Sequence, residues 1–198
     1  METDRLDNLL QRCWDYLEEG ADSARSPFHT AVLGTVEAGA PRLRTVVLRS
    51  AERGASRVLC HTDARSAKAC QIGAGAPVSW LLYDPERKVQ LRLEGRAAVH
   101  AEDALAEERW RASAAGSRRC YLVEPGPGAV LASAGSTLPE ALRHRRPEPQ
   151  ETEPGRGNFA VVAAAVESID WLHLTADGHR RARFRRRADG WEGDWIAP

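Results

Sequence analysis

Short segments rich in β-branched residues recur along this chain, and turns containing Gly separate several of them. They are residues 29–37, 43–51, 56–62, 77–84, 88–100, 158–174, 181–187 and 191–198. Period-two alternation of apolar and polar residues predicts strands, and short Gly turns between neighbours predict antiparallel pairing. No alternating βαβ rhythm is present. The sequence therefore predicts a mainly β (α+β) fold, an antiparallel barrel of six to eight strands with helices at its ends.

Helical spacing of apolar residues predicts three peripheral helices, over residues 4–19, 64–72 and 101–115. Gly20 is expected to stop the first of them. Residues 116–157 are rich in Pro, Gly, Glu and Arg and predict a long flexible loop. At 198 residues, we expect one domain, 1–198, with a full core.

The formal net charge is zero, with 28 basic and 28 acidic residues, which predicts no overall attraction to nucleic acid or anionic membrane. The RRARFRRR tract is the one local exception. Its alternation places Ala182 and Phe184 on one face, so it predicts a strand with an exposed arginine side rather than a nucleic-acid site.

The four cysteines form no CxxC pair, and the histidines lack metal spacing, so neither a zinc site nor a disulfide framework is expected. The cysteines, Cys13, Cys60, Cys70 and Cys120, are predicted to be buried thiols. Two acidic residues precede any apolar run, and no apolar stretch approaches 18 residues, so a signal peptide and a membrane-spanning helix are not expected. A cytoplasmic location is the expectation.

The stretch HTDARSAKACQI places a helix start directly behind a predicted strand and contains one of only two lysines in the chain. Backbone N–H groups and the positive end of the helix dipole stabilise a phosphate at such a point. Asp63 or Thr62 can cap the helix, and Ser66 can donate a hydroxyl. Arg65 and Lys68 are predicted on one helical face, where both can reach the same oxygens. A solvated basic helix surface is the alternative.

Two further patterns bear on the same ligand. RTVVLR brackets an apolar strand with Arg44 and Arg49, which face opposite sides unless a bulge or a strand end intervenes. An edge strand with charged flanks is the alternative interpretation. Gln90 offers donors and an acceptor to a heteroaromatic rim, while Trp171 and Arg183 offer a flat face and a fixed charge. Together with a phosphate site, these residues suggest a nucleotide-like planar cofactor.

In this order, RTVVLR, HTDARSAKACQI, VQLRLEG and the ending from WLHLTADGHRRARF to WIAP resemble the pyridoxamine 5′-phosphate oxidase family of FMN-binding split barrels. The resemblance covers roughly residues 28 to 100 and 157 to 198, and four motifs in matching order are more specific than any one of them. It is closest to the broader branch with RTVVLR and TDxRSxK motifs. It implies a split β-barrel, an FMN cofactor and a homodimer with FMN in the subunit interface.

The resemblance also implies which residues contact FMN. From one chain these are Arg44, Val46, Val47, Arg49, His61, Thr62, Arg65, Ser66 and Lys68. Arg49 replaces the family's usual Lys, and Ala67 stands where the family has Arg, so Arg65 is expected to compensate. By the same resemblance, Gln90, Trp171 and Arg183 contact the FMN of the partner chain.

The substrate is less defined by the resemblance. The family's Arg-x-His pair, which holds the substrate, corresponds to His179 and Arg181, with the residue types reversed. Tyr121, with Arg118 or Arg119, is a candidate replacement for the family's substrate-phosphate ligands. We therefore expect an FMN-dependent oxidoreductase of unknown substrate. An authentic pyridoxamine 5′-phosphate oxidase and a flavin-binding protein that stores or senses the cofactor are the alternatives.

Overall fold

The computed structural model describes residues 5–198, and these divide into two compact units. One unit comprises residues 5–60 together with Gly75–Ala97 and Ala163–Pro198. The other comprises His61–Ala74 and Ala98–Val162. The single domain predicted over residues 1–198 stays a prediction.

Within residues 5–198, nine strands form one sheet in the order β2-β1-β5-β6-β7-β4-β3, and β8 pairs with both β7 and β9. The strands are β1 Thr30–Glu37, β2 Ala40–Val47, β3 Ser50–Glu52, β4 Arg57–Asp63, β5 Ala76–Asp84, β6 Val89–His100, β7 Phe159–His173, β8 Arg180–Arg187 and β9 Gly190–Ile196. The pairs β1–β2, β1–β5, β3–β4, β5–β6, β7–β8 and β8–β9 are all antiparallel, as predicted. The strand count exceeds the predicted six to eight because the predicted strand 43–51 divides into β2 and β3.

Alternation explains why these segments bury one face. On β5, the side chains of Val78, Trp80 and Leu82 are buried, while the residues between them are exposed. On β8, Ala182 and Phe184 are buried, and Arg181, Arg183 and Arg185 alternate with them on the other face, as predicted, although these three arginines are half-buried rather than exposed.

The first helix, α1, spans Leu6–Asp22 and buries Leu9, Cys13, Trp14 and Leu17 on one face, as the apolar spacing predicts. Asp4, where the prediction begins, lies outside the described residues. The predicted stop at Gly20 is wrong, because the helix continues two residues beyond it. Gly20 instead allows a close approach, since a Cβ atom there would lie 2.5 Å from the backbone oxygen of Phe28.

The second unit holds the shorter helices α2 Ala67–Ile72, α3 Ala104–Ala112, α4 Ala115–Arg118 and α5 Pro149–Thr152. Helix α3 lies inside the predicted 101–115 range and begins after Asp103, whose carboxylate accepts the backbone N–H of Ala106 at 3.0 Å. The segment predicted as a long loop contains single helical turns, and it buries Leu142 and Thr152.

Two of the four cysteines differ from the prediction. Cys13 and Cys60 are buried, whereas Cys70 and Cys120 are exposed because they lie on the outer sides of short helical turns. Burial raises the pKa of the Cys13 thiol well above its usual value. Over residues 5–198, no helix has the length and apolar character needed to cross a membrane.

Candidate flavin phosphate site

The end of β4 and the start of α2 bring three polar side chains together. The Lys68 ammonium donates to Thr62 Oγ1 at 2.9 Å and lies 3.4 Å from Ser66 Oγ, and the two hydroxyls are 3.0 Å apart. Thr62 and Ser66 are both almost fully buried, with 3% and 4% of their surface exposed. Two buried hydroxyls and an ammonium at hydrogen-bond distance form a donor set that suits phosphate oxygens.

Ser66 is the N-cap residue of α2, so the predicted capping by Asp63 or Thr62 is wrong. Helix α2 begins three residues later than predicted, because the Asp63 carboxylate accepts the backbone N–H of Arg65 at 2.8 Å and forms a turn there. The Ser66 hydroxyl makes no capping hydrogen bond to the helix. It contacts Thr62 and Lys68 instead.

Arg65 lies in that turn, ahead of α2, so the predicted helical face shared by Arg65 and Lys68 is not formed. Its guanidinium contacts both Asp63 oxygens at 3.0 and 2.8 Å and Glu124 Oε1 at 2.6 Å. These hydrogen bonds, led by those to Asp63, raise the pKa of Arg65. Gly126 lies close by, since a Cβ atom there would be 3.0 Å from the guanidinium carbon. The sequence analysis missed Glu124, which is 59 residues away from Arg65 along the chain.

His61 precedes this turn on β4. Its ring packs edge-on against Phe159, with the centroids 4.9 Å apart, and the residue is half-buried. Tyr121, the candidate substrate residue, makes a similar edge-on contact with Phe159 at 5.0 Å. Arg118, predicted with Tyr121 as a candidate substrate contact, is buried. It donates to the backbone oxygen of Trp110 at 2.9 Å, and its guanidinium lies over the Trp110 ring.

The RTVVLR motif forms the end of β2 and the break before β3. Arg44 Nη1 donates to Thr35 Oγ1 at 2.6 Å and to the backbone oxygen of Leu33 at 3.2 Å. Burial lowers the pKa of Arg44. Val46 is buried, Val47 is half-buried, and Arg49 is exposed in the break between the strands, which is the strand end that the sequence analysis left open.

The β7–β8 hairpin carries three more of the predicted residues. Trp171 is paired with Ala182 and Asp170 with Arg183, so Trp171 and Arg183 lie on opposite faces of the hairpin. Trp171 is buried and lines a cavity of about 350 Å³ together with Tyr16 and Trp195.

The opposite face of the hairpin holds a cluster that the sequence analysis missed. Asp170, buried on β7, accepts two hydrogen bonds from Arg181, each 2.9 Å long, and one of 3.0 Å from Arg92 on β6. Arg183 Nε lies 3.6 Å from the same carboxylate. The available signal is an acid next to Trp171 near the end of the largely apolar β7, followed by arginines at every second position of β8.

The remaining predicted residues lie at the edges of these elements. Gln90 is half-buried on β6 and is paired with Tyr83 across the β5–β6 ladder. His179 is exposed in the turn before β8, where its Nδ1 accepts the backbone N–H of Thr175 at 3.3 Å. The structure thus brings together Thr62, Ser66 and Lys68 in one unit, and Arg181 and Arg183 in the other.

Residues 11–101 match the family model described as pyridoxamine 5′-phosphate oxidase, FMN-binding domain. Among curated proteins, a dihydrophenazinedicarboxylate synthase of Pseudomonas chlororaphis is 28% identical over 178 residues, which cover 88% of this chain and 76% of the relative. A pyridoxine/pyridoxamine 5′-phosphate oxidase of Chromobacterium violaceum is 29% identical over 183 residues, 90% of this chain and 83% of the relative.

Two solved structures share the fold. A pyridoxamine 5′-phosphate oxidase-related, FMN-binding protein from Nostoc punctiforme matches 95% of this chain and 97% of its own, with a TM-score of 0.72 and 23% identity. PhzG from Burkholderia lata, in complex with tetrahydrophenazine-1-carboxylic acid, matches 96% of this chain and 91% of its own, with a TM-score of 0.69 and 19% identity. The predicted antiparallel split barrel is confirmed, and residues 11–101 are similar to the FMN-binding domain of the pyridoxamine 5′-phosphate oxidase family.

Proposed function

We propose that this protein is an FMN-dependent oxidoreductase that acts on a small molecule and works as a homodimer. The cluster of Thr62, Ser66 and Lys68 carries the proposal, because two buried hydroxyls and an ammonium supply hydrogen-bond donors and positive charge to a phosphate. The family match over residues 11–101 supports FMN as the phosphate-bearing ligand.

The proposed roles combine the hydrogen bonds of the Thr62, Ser66 and Lys68 cluster with the resemblance in sequence motifs. Lys68, Ser66 and Thr62 bind the FMN phosphate. The other residues proposed to contact the flavin are Arg44, Val46, Val47, Arg49 and His61 in the same chain, and Gln90, Trp171 and Arg183 from the partner chain. Arg65 is assigned no phosphate contact, since Asp63 and Glu124 hold its guanidinium. FMN held by these residues would supply an acceptor for the hydride equivalent that a reduced substrate loses.

The first experiment measures FMN binding. We expect purified protein mixed with FMN to retain the flavin absorption bands after gel filtration. Lys68→Ala with Ser66→Ala should weaken FMN binding at least about 100-fold in a fluorescence titration, because hydrogen bonds to charged groups contribute about 1.5–3 kcal/mol each.

A matched control replaces the same two residue types, one Lys and one Ser, at positions outside the proposed phosphate site. Lys88, the only other lysine, and Ser79 are both exposed, so Lys88→Ala with Ser79→Ala should leave the FMN affinity within about twofold of the wild type. Equal affinity of the Lys68/Ser66 double variant and the wild type would remove the proposed phosphate role, and colourless wild-type protein would remove the proposed cofactor.

The substrate class is tested separately. The relatives point to two candidates, pyridoxine or pyridoxamine 5′-phosphate and a partially reduced aromatic carboxylic acid. His179, Arg181 and Tyr121 are the proposed substrate contacts. Oxygen consumption with release of hydrogen peroxide identifies the accepted class. Retained flavin that neither class, nor NADH or NADPH, reduces would favour the alternative of a protein that stores or senses FMN.

A further inference from the structure

Three arginines contact the carboxylate of Asp170 on one face of the sheet. Only 4% of the Asp170 side chain is exposed, whereas Arg92, Arg181 and Arg183 remain 38%, 24% and 32% exposed. The acid is therefore buried beneath the cations, and the guanidinium groups form the accessible surface. This arrangement lies entirely in the unit that contains β5, β6, β8 and β9.

The hydrogen bonds divide unequally among the three arginines. Arg181 takes both carboxylate oxygens of Asp170 through its Nε and Nη2 atoms, which is the planar bidentate geometry that only arginine offers. Arg92 takes one oxygen at 3.0 Å and also lies 3.2 Å from Glu94. The Arg183 contact, at 3.6 Å, is too long for a hydrogen bond, so it orients the guanidinium and leaves its donors for another acceptor.

Arginines outnumber carboxylates in this cluster even when Glu94 is included. A buried acid that accepts hydrogen bonds from several arginines fixes side chains that are otherwise rich in rotamers, and fixing them in advance reduces the entropy lost when an anionic ligand binds. The surplus positive charge then faces the ligand. Asp170 thus lies where it can affect a ligand only by orienting the neighbouring arginines.

We infer that Asp170 is a positioning residue of the flavin site: it orients Arg183 toward FMN and Arg181 toward an anionic group of the substrate. This inference rests on the proposed function, in which those arginines are ligand contacts. Asp170 itself does not touch the ligand. Its role is to hold Arg181 and Arg183, which are two positions apart on β8, on one face of the hairpin.

The loss of negative charge and the loss of positioning would change FMN affinity in opposite directions when Asp170 is replaced by Asn. Asp170→Asn removes a negative charge next to an anion site, and electrostatics alone would strengthen FMN binding. Loss of positioning weakens FMN binding instead, because Arg183 is no longer oriented. We expect about tenfold weaker binding, measured by flavin fluorescence titration.

A double-mutant cycle tests whether Asp170 acts through Arg183. We expect Arg183→Ala to weaken FMN binding at least tenfold, and the double variant to bind no worse than Arg183→Ala alone, because the second change then has nothing left to disturb. Additive losses would overturn the inference. Unchanged or tighter FMN binding by Asp170→Asn would overturn it as well.

Two further variants separate positioning from folding. Asp84→Asn removes another buried acid of the same unit that binds an arginine, and it should lower stability while leaving FMN affinity within about twofold of the wild type. If Asp170→Asn does not fold, Asp170→Asn with Arg92→Gln keeps the net charge of the cluster, and Arg92→Gln alone is its reference. Tenfold weaker binding relative to that reference supports the inference, and equal binding overturns it.

The same titration distinguishes this inference from the proposed function. Wild-type protein that binds no FMN would refute the proposed function. Wild-type protein that binds FMN, together with an Asp170→Asn variant that binds it equally well, would refute the positioning role alone.

Discussion

Arginines and carboxylates meet in opposite ratios in two clusters, one in each compact unit. In the first unit, three arginines surround the single carboxylate of Asp170. In the second, Arg65 is held by two carboxylates, those of Asp63 and Glu124. Both clusters lie on segments in which the sequence predicts ligand contacts, and both consist of partly exposed guanidinium groups over a buried acid.

The ratio of carboxylates to arginines determines whether an arginine has hydrogen-bond donors available for a ligand. Arg65 contacts Asp63 and Glu124 with Nε, Nη1 and Nη2, so an incoming phosphate would have to displace a carboxylate. Arg183 has only a 3.6 Å contact with a carboxylate that it shares with two other arginines. An excess of carboxylate thus marks an arginine with a structural role, and an excess of arginine marks one that can take a further anion.

The largest expected effect is on the second cluster. Asp63→Asn should lower the free energy of unfolding by about 2–3 kcal/mol, because it leaves Arg65 without its bidentate partner and weakens the turn before α2. Urea denaturation measures the change. Glu124→Gln is the matched control: Glu124 is 73% exposed, so its loss should cost less than about 1 kcal/mol. Equal losses for the two variants would contradict the structural role assigned to the buried acid.

The next effect compares the two arginines directly. Arg183→Ala should weaken FMN binding about tenfold, or about 1.4 kcal/mol, whereas Arg65→Ala should change it less than about twofold. Flavin fluorescence titration at two salt concentrations measures both, and the salt dependence should fall only for Arg183→Ala. A larger loss for Arg65→Ala would restore the phosphate contact that the sequence suggested and break the comparison.

The strands were predictable because their alternation is local and strong. On β5, Val78, Trp80 and Leu82 are buried and the residues between them are exposed, as a period of two requires. The start of α2 was misplaced because Asp63 makes a side-chain hydrogen bond to the backbone of Arg65, and helical spacing of apolar residues does not reveal it. The break between β2 and β3 falls at Leu48 and Arg49, where the backbone changes its hydrogen-bond partner from the segment before β1 to β4, and the side-chain pattern does not reveal that change.

The candidate site was predictable where its residues are close in sequence. Thr62, Ser66 and Lys68 lie within seven positions, and the strand-to-helix transition brings them together. Asp170 was missed because its role depends on pairing with Arg183 across the β7–β8 hairpin and on Arg92 of β6, 78 residues away. No local pattern specifies which acid lies opposite which arginine.

The smallest expected effect concerns a third cluster, also in the first unit. It tests whether the ratio of carboxylates to arginines predicts the role of the arginine there. Arg87 binds two carboxylates, Asp84 at 2.8 Å and Glu19 at 3.1 Å, so by the same rule it has a structural role. The Asp84 carboxylate also accepts the backbone N–H groups of Glu86 and Arg87 at 2.8 and 2.9 Å. Asp84→Asn should therefore lower the free energy of unfolding by about 1 kcal/mol at neutral pH and leave FMN affinity unchanged.

The pH dependence of that loss gives the sharpest check. Burial opposes ionisation of Asp84, but the hydrogen bonds from Arg87 and Glu86 outweigh it, so the pKa of Asp84 lies below its usual value in the folded state. The carboxylate then stabilises the fold at pH values above about 4, the ordinary pKa of Asp, and this contribution is lost as the pH falls further. Wild-type protein should lose more stability than Asp84→Asn on acidification through this range, and the exposed Asp177→Asn should follow the wild type. Parallel curves for wild type and Asp84→Asn would show that Arg87 does not depend on its buried partner. The carboxylate-to-arginine ratio would then fail as a guide to which arginines can bind a ligand.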